Sequence, residues 1–148
     1  MIRDKSGTKD NPIWPFILDN LPQITKVISN LNETLTYNDF YWTNLAVRKD
    51  GSAALMFDYN LMGIGYRYSD IRNVCSSLSV KSKVAFLEEY GEIDEREKTV
   101  DDIISPLIAL VIAFQRPAFP FWANQSLQLI MNGEFFKRIY TFFHQSHG

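Results

Sequence analysis

Two short apolar runs, Leu45–Arg48 and Ala53–Phe57, stand on either side of Asp50-Gly51. Asp-Gly is a favoured pair for the tight turns that join antiparallel strands, because its residues accept the positive φ such turns need. This predicted hairpin constrains the chain more than any other short segment. A tight turn fixes the register of its strands, so the residue entering the first strand and the residue leaving the second must lie close together. Those residues are Asn44 and Asp58. An amide oxygen and a carboxylate meeting at one hairpin end make a hard-oxygen pair of the kind Mg²⁺ takes, with water and substrate phosphate completing its shell. Asp39 precedes Asn44 in a D-x-x-x-x-N spacing on the same loop. It is close enough to accept a proton from a substrate hydroxyl, the layout of kinase-type phosphoryl transfer.

The remainder reads as mainly helical. Over residues 12–31, Ile17, Leu18, Leu21, Ile24, Val27, Ile28 and Leu31 recur at helical spacing, with Pro15 suited to the first turn. Pro22 falls inside this segment and is expected to kink or split it. Ser69 is a candidate N-cap for a helix to about Leu78, and Ser79 for a second helix stopping at Gly91. Residues 101–115 are apolar nearly all round, which predicts a central buried helix. Helices at about 121–131 and 134–146 meet at Gly133. Residues 1–10 read as a flexible tail, 32–44 as an irregular loop entered from a short extended piece, and 58–69 as a loop. The predicted class is α+β, mainly helical, with one small hairpin in a single domain over 11–147.

Composition narrows the function. With 148 residues, 46% hydrophobic and 22% charged, the chain suits one globular domain and is not disordered. Its net charge of −2 lacks the basic footprint of a nucleic-acid binder. The longest apolar run, Leu107–Phe114, falls short of the roughly 20 residues a membrane-spanning helix needs. Neither nucleic acid nor membrane is therefore an expected partner. The single cysteine, Cys75, excludes an intrachain disulfide and reads as a small buried hydrophobe. With no apolar signal core at the N-terminus, a cytoplasmic location is expected. His144 and His147 read as an exposed chain end rather than metal ligands. Residues 88–102 carry a local balance of −6 and read as a solvated helix end, with a cation-attracting rim as the alternative. Trp42, Trp122, Tyr41, Tyr66 and Tyr68 read as packing residues, with a cation–π cage for an ammonium substrate as the alternative.

The stretch from Tyr37 to Asn73 resembles the catalytic segment of the aminoglycoside phosphotransferase and choline/ethanolamine kinase superfamily, relatives of the protein kinases. Those families carry H-[GN]-D-x-x-x-x-N, then a hairpin, then [IF]-D-[WFY], then an Asp opening a helix. Here Tyr37-Asn38-Asp39 with Asn44 matches the first block and Phe57-Asp58-Tyr59 the second. Tyr66-Arg67-x-x-Asp70-Ile71-x-Asn73 is similar to the Y-R-x-x-D-I-x-N run of choline and ethanolamine kinases. The likeness is good over about 31–80 and weak onward to 143. It implies the C-terminal lobe of a protein-kinase-like fold and an ATP-dependent phosphotransferase. In that reading Asp39 is the catalytic base, Asn44 and Asp58 bind Mg²⁺, and Asp70 and Tyr37 brace the catalytic loop. The acceptor is a small-molecule hydroxyl on an amino alcohol or aminoglycoside-like compound, with Trp42, Tyr66, Trp122, Asp101 and Asp102 as its rim.

The sequence departs from that pattern in three ways. Tyr37 stands where the family has His, and Asn60 where many members have Glu. No G-x-G-x-x-G occurs, and only 38 residues precede Asp39, against the roughly 65 that a five-stranded nucleotide lobe needs. An N-terminal lobe or a second chain is therefore an expected partner, and the 148-residue chain alone is expected to be inactive. The rival reading is a truncated, non-catalytic remnant or a binding module.

Overall fold

The computed structural model describes residues 1–145 and is mainly helical, with two small two-stranded sheets. His147 lies outside the described residues. The described residues group into two compact units, one formed by 1–30 with 99 onward, the other by 31–98.

The first unit begins with α1 (Ile2–Lys5) and α2 (Ile13–Ile28), and continues through most of α5 (Glu95–Ala113), then α6 (Asn124–Met131) and α7 (Glu134–Gln145). Ile13, Leu110, Ile130, Phe135 and Ile139 are all but fully buried and form its centre. Phe16 of α2 meets Phe136 at 5.2 Å and Phe143 at 5.9 Å, both edge to face, the arrangement that ring quadrupoles favour. Gly133, with φ +76, turns the chain between α6 and α7.

Two helix expectations change here. Pro22 does not split α2. The carbonyl it leaves without an N–H partner belongs to Leu18, which is itself exposed, so water can satisfy it. The helix expected over 101–115 starts at Glu95, and its apolar circumference is only partly covered: Ile103, Leu110 and Ala113 are buried while Ile108 and Ile112 are exposed. The first ten residues carry α1 and are tied by hydrogen bonds. Lys5 Nζ donates to the Phe114 carbonyl at 2.6 Å, and Trp14 Nε1 to the Thr8 carbonyl at 2.8 Å. Asn11 Nδ2 reaches the Ile130 carbonyl at 3.2 Å, while its Oδ1 accepts from the Ile13 N–H at the start of α2.

The second unit nests one strand pair inside another. β1 (Glu33–Thr36) pairs antiparallel with β4 (Gly63–Tyr66), and between them in sequence β2 (Leu45–Val47) pairs antiparallel with β3 (Ala54–Met56). The β2–β3 hairpin turns at Gly51, φ +72, with Leu45 opposite Met56. β4 occupies part of the segment expected to be a loop. One of its two glycines, which read as loop formers, serves close approach instead: a Cβ on Gly65 would lie 2.8 Å from Thr36 Oγ1. Two helices follow, α3 (Arg67–Ser77) and α4 (Val80–Tyr90). Tyr37, Phe40 and Val74 form the unit's core, with Leu45, Met56, Leu78 and Phe86 packed against them.

α3 begins at Arg67, two residues before the expected cap at Ser69. The buried carboxylate of Glu97 accepts from the Tyr68 N–H at 3.0 Å. It thereby supplies both an acceptor and a negative charge at the helix N-terminus. α4 is capped as expected, with Ser79 Oγ accepting from the Ser82 N–H and Gly91 at φ +95 ending it.

Candidate functional site

The segment leaving β1 is held by hydrogen bonds at Thr36, Tyr37 and Asn38. Thr36, buried at the strand end, donates through Oγ1 to the Gly63 carbonyl at 3.0 Å and accepts from Asn38 Nδ2 at 2.7 Å. Asp70, in the first turn of α3, spans the next two peptides: Oδ2 accepts from the Tyr37 N–H and Oδ1 from the Asn38 N–H, each at 2.8 Å. One turn along α3, Asn73 Nδ2 donates to the Asn38 carbonyl at 3.2 Å. Asn38 Nδ2 also reaches the Leu61 carbonyl at 3.1 Å. Asn38 is thus bound on its N–H, its carbonyl and its side chain, and it holds a left-handed φ of +64. Asparagine tolerates that conformation better than most residues. The following residue, Asp39, is half-buried, and no hydrogen bond or ion pair engages its carboxylate among the described residues.

The hairpin end is organised around Phe57. Its N–H donates to the Asn44 carbonyl at 3.1 Å, and its carbonyl accepts from the Tyr37 hydroxyl. The backbone of Asn44 is therefore bonded to the residue directly before Asp58. The Asn44 side chain turns back on the loop, donating Nδ2 to the Asp39 carbonyl at 3.1 Å. That bond closes the D-x-x-x-x-N segment on itself and leaves Asn44 Oδ1 as an acceptor. Asp58 is exposed, adopts φ +67, and accepts from Asn60 Nδ2 through Oδ1. Asn38 and Asp58 are the two non-glycine residues with positive φ among the described residues, and both flank this site.

Tyr37 joins the two halves. Its ring lies in the core, meeting Tyr59 edge to face at 5.9 Å, while its hydroxyl reaches the hairpin end. Burial pushes the phenol pKa above its ordinary value. The nearby charges of Asp39 and Asp58 push the same way, against a hydrogen bond with Asn44. The phenol therefore stays protonated and remains a donor at physiological pH.

Among the described residues no group of three or more His, Cys, Asp or Glu side chains converges as a metal cage. The oxygens available here are the Asn44 amide and the Asp58 carboxylate. Such a donor pair fits a hard cation that keeps several water ligands, as Mg²⁺ does, better than one that demands a full protein cage.

The expected rim residues divide between the units. Trp42 and Tyr66 belong to the second unit, and Trp122, Asp101 and Asp102 to the first. Trp42 is 65% exposed, and its main-chain N–H donates to Ser77 Oγ at 2.9 Å. Tyr66, opposite Glu33 in the β1–β4 pair, has its phenol pKa raised by burial and then by the charges of Glu33 and Glu97. The Trp122 ring already carries the Arg116 guanidinium at 5.7 Å, and Tyr90 carries Arg67 at 4.7 Å, so internal cations occupy those faces. No helix among the described residues is long and apolar enough to cross a membrane.

Thr36, Asn38, Gly65 and Asn73 hold the loop and are not among the expected site residues. Asn38 and Asn73 lie within the matched blocks, and a glycine inside a strand signals close backbone approach. Thr36 carried no local signal, because its partners are Gly63 and Gly65 across the strand pair.

No protein-family model, curated protein or solved structure matches the chain.

Proposed function

We propose that this chain carries the catalytic and acceptor-binding lobe of a protein-kinase-like phosphotransferase. It would move the γ-phosphate of ATP to a hydroxyl of a small amino alcohol or aminoglycoside-like acceptor. The observation supporting this reading is the union of three groups on one braced element. Asp39 follows directly on the two peptides that Asp70 holds, and Asn44, bonded to the Asp39 carbonyl, is paired across the hairpin with the residue before Asp58.

In the proposed reaction the acceptor hydroxyl lies against the Asp39 carboxylate. As the hydroxyl oxygen forms its bond to the γ-phosphorus, the bond from that phosphorus to the bridging oxygen of ADP breaks, and the hydroxyl proton passes to Asp39. Asp39 contributes orientation as much as basicity, because phosphoryl transfer depends mostly on positioning and charge neutralisation. Asn44 Oδ1 and the Asp58 carboxylate would hold Mg²⁺, which when bound neutralises phosphate charge. Asp70 and Tyr37 keep the loop and the hairpin end in a fixed relation through the hydrogen bonds already described.

A grip on the donor nucleotide would come from a lobe or partner covering the strands. Leu35 and Ile64, directly opposite each other in the β1–β4 pair, are 65% and 69% exposed, and Val47 and Leu55 of the hairpin are exposed as well. An exposed cross-strand apolar pair such as Leu35 with Ile64 is a feature of surfaces that meet another body.

The test is a thermal-shift titration of the chain with Mg²⁺ and ATP, followed by a phosphorylation assay over amino alcohols and aminoglycosides with the chain together with any lobe or partner that supplies the nucleotide grip. A Mg²⁺-dependent shift lost in Asp58→Ala, and turnover lost in Asp39→Ala, are expected. Turnover that persists at the normal rate in Asp39→Ala would overturn the assignment. A flat response to Mg²⁺ and ATP would favour a non-catalytic binding module.

A further inference from the structure

Within the first unit, α5 and α7 border a cleft of about 270 Å³. Asp102 and Ile103 line it from α5, and Glu134, Lys137, Arg138 and Phe142 line it from α7. The α7 residues recur at i, i+3, i+4 and i+8, so they form one stripe along that helix. The cleft has acids and bases in equal number, and so no net field to favour a plain cation or a plain anion. It has a local separation of charge instead.

Two of these charges are already related. Glu134 and Arg138 approach to 3.9 Å, one turn apart on α7. Asp102 on α5 and Lys137 on α7 are different. Neither side chain has a hydrogen bond or ion pair among the described residues, and they do not pair with each other. A carboxylate and an ammonium facing one cavity, both unengaged and farther apart than an ion pair, are complementary to a ligand that carries both charges at a distance. Ile103 and Phe142 would meet the apolar part of such a ligand.

We propose that the α5–α7 cleft binds a small linear zwitterion of the ω-amino acid type. Its ammonium would lie against Asp102, its carboxylate against Lys137, and its methylene linker across Ile103 and Phe142. The proposal does not rest on the phosphotransferase reading: every residue it uses lies in the first unit, none takes part in the Asp39 loop, and Asp102, expected above on the acceptor rim, is the one residue the two readings share.

The test uses a length series of glycine, β-alanine, 4-aminobutyrate and 6-aminohexanoate as probes, titrated into the full chain and followed by backbone amide NMR. Butylamine and butyrate serve as single-charge controls. One length should bind best, with saturable shifts by about 10 mM confined to residues of α5 and α7, and at least about fivefold more tightly than either control. Asp102→Asn and Lys137→Met should each weaken that probe by at least about fivefold. The exchange Asp102→Lys with Lys137→Asp should recover binding, with the ligand reversed. Both positions retain solvent contact, so the variants are expected to fold, and unchanged amide spectra in the absence of ligand check this. Binding that ignores linker length, controls that equal the zwitterion, shifts mapping to residues 37–58, or single variants that bind as the parent would each overturn the proposal.

Discussion

Replacing Asp70 tests the brace directly. Its carboxylate accepts two main-chain N–H groups, from Tyr37 and Asn38, at 2.8 Å each. A hydrogen bond to a charged acceptor contributes roughly 1.5–3 kcal/mol, so Asp70→Ala should cost about 3–5 kcal/mol of unfolding free energy. Asp70→Asn should cost about 2 kcal/mol, since an amide keeps one oxygen acceptor but turns an N–H₂ donor toward the second peptide. The two variants therefore differ in a defined order. Urea denaturation gives the stability loss, and amide hydrogen exchange gives its location. A local loss of about 2 kcal/mol corresponds to roughly 30-fold faster exchange at the released amide. Asp70→Asn should deprotect one of the Tyr37 and Asn38 amides by about that factor, and Asp70→Ala both. Protection at Tyr37 and Asn38 that is unchanged in Asp70→Ala would refute the reasoning, as would equal stability losses in the two variants.

Other perturbations reach the same structure by different routes. Gly65→Ala should destabilise by about 1–3 kcal/mol, because its Cβ would press on the buried Thr36 hydroxyl, and the cost should shrink in a Thr36→Ala background. Phe135→Ala, at a fully buried ring of the first unit, should cost about 3–5 kcal/mol in denaturant melts. Tyr37→Phe should lose about 1 kcal/mol near pH 7 by leaving the Phe57 carbonyl without its donor. The parent's Tyr37 phenol has a raised pKa when folded, so its contribution is complete below the unfolded value of 10.0 and is lost as pH rises above it. The alkaline decline in melting temperature should accordingly be shallower in Tyr37→Phe than in the parent.

The elements legible in the sequence were those specified by neighbours in the chain. Asp50-Gly51 marked the hairpin turn, Ser79 and Gly91 marked both ends of α4, and Gly133 marked the junction of α6 and α7. The proximity of Asn44 to Asp58 followed from turn geometry and is present as the Asn44–Phe57 backbone bond. The features that were not legible depend on distant partners. β4 reads as a glycine-rich loop until β1 lies beside it, since Gly65 is fitted to Thr36. The start of α3 is set by Glu97, nearly thirty residues downstream, so no cap near Arg67 announces it. Pro22 lies inside a helix that runs on unsplit. A proline's cost in a helix depends on whether the orphaned carbonyl can reach water, and exposure is a property of the fold rather than of the sequence nearby.

The nesting of the strands bears on the order in which the second unit assembles. β1 meets β4 only after everything from residue 37 to residue 62 has been drawn into a closed loop, whereas β2 meets β3 across a tight turn. Hairpins of that kind form in roughly 1–10 μs, and a formed hairpin shortens the effective loop that the outer pair must close. The outer closure, and with it the seating of Tyr37 and Asn38 on Asp70, is then expected to come late. Substitutions at Asp70 should speed unfolding and leave the folding rate nearly unchanged, while substitutions in the Asp50-Gly51 turn should slow folding. In that case the brace of the Asp39 loop governs how long the native state lasts rather than how quickly it is reached, and stopped-flow chevrons of the two classes of variant can tell these apart.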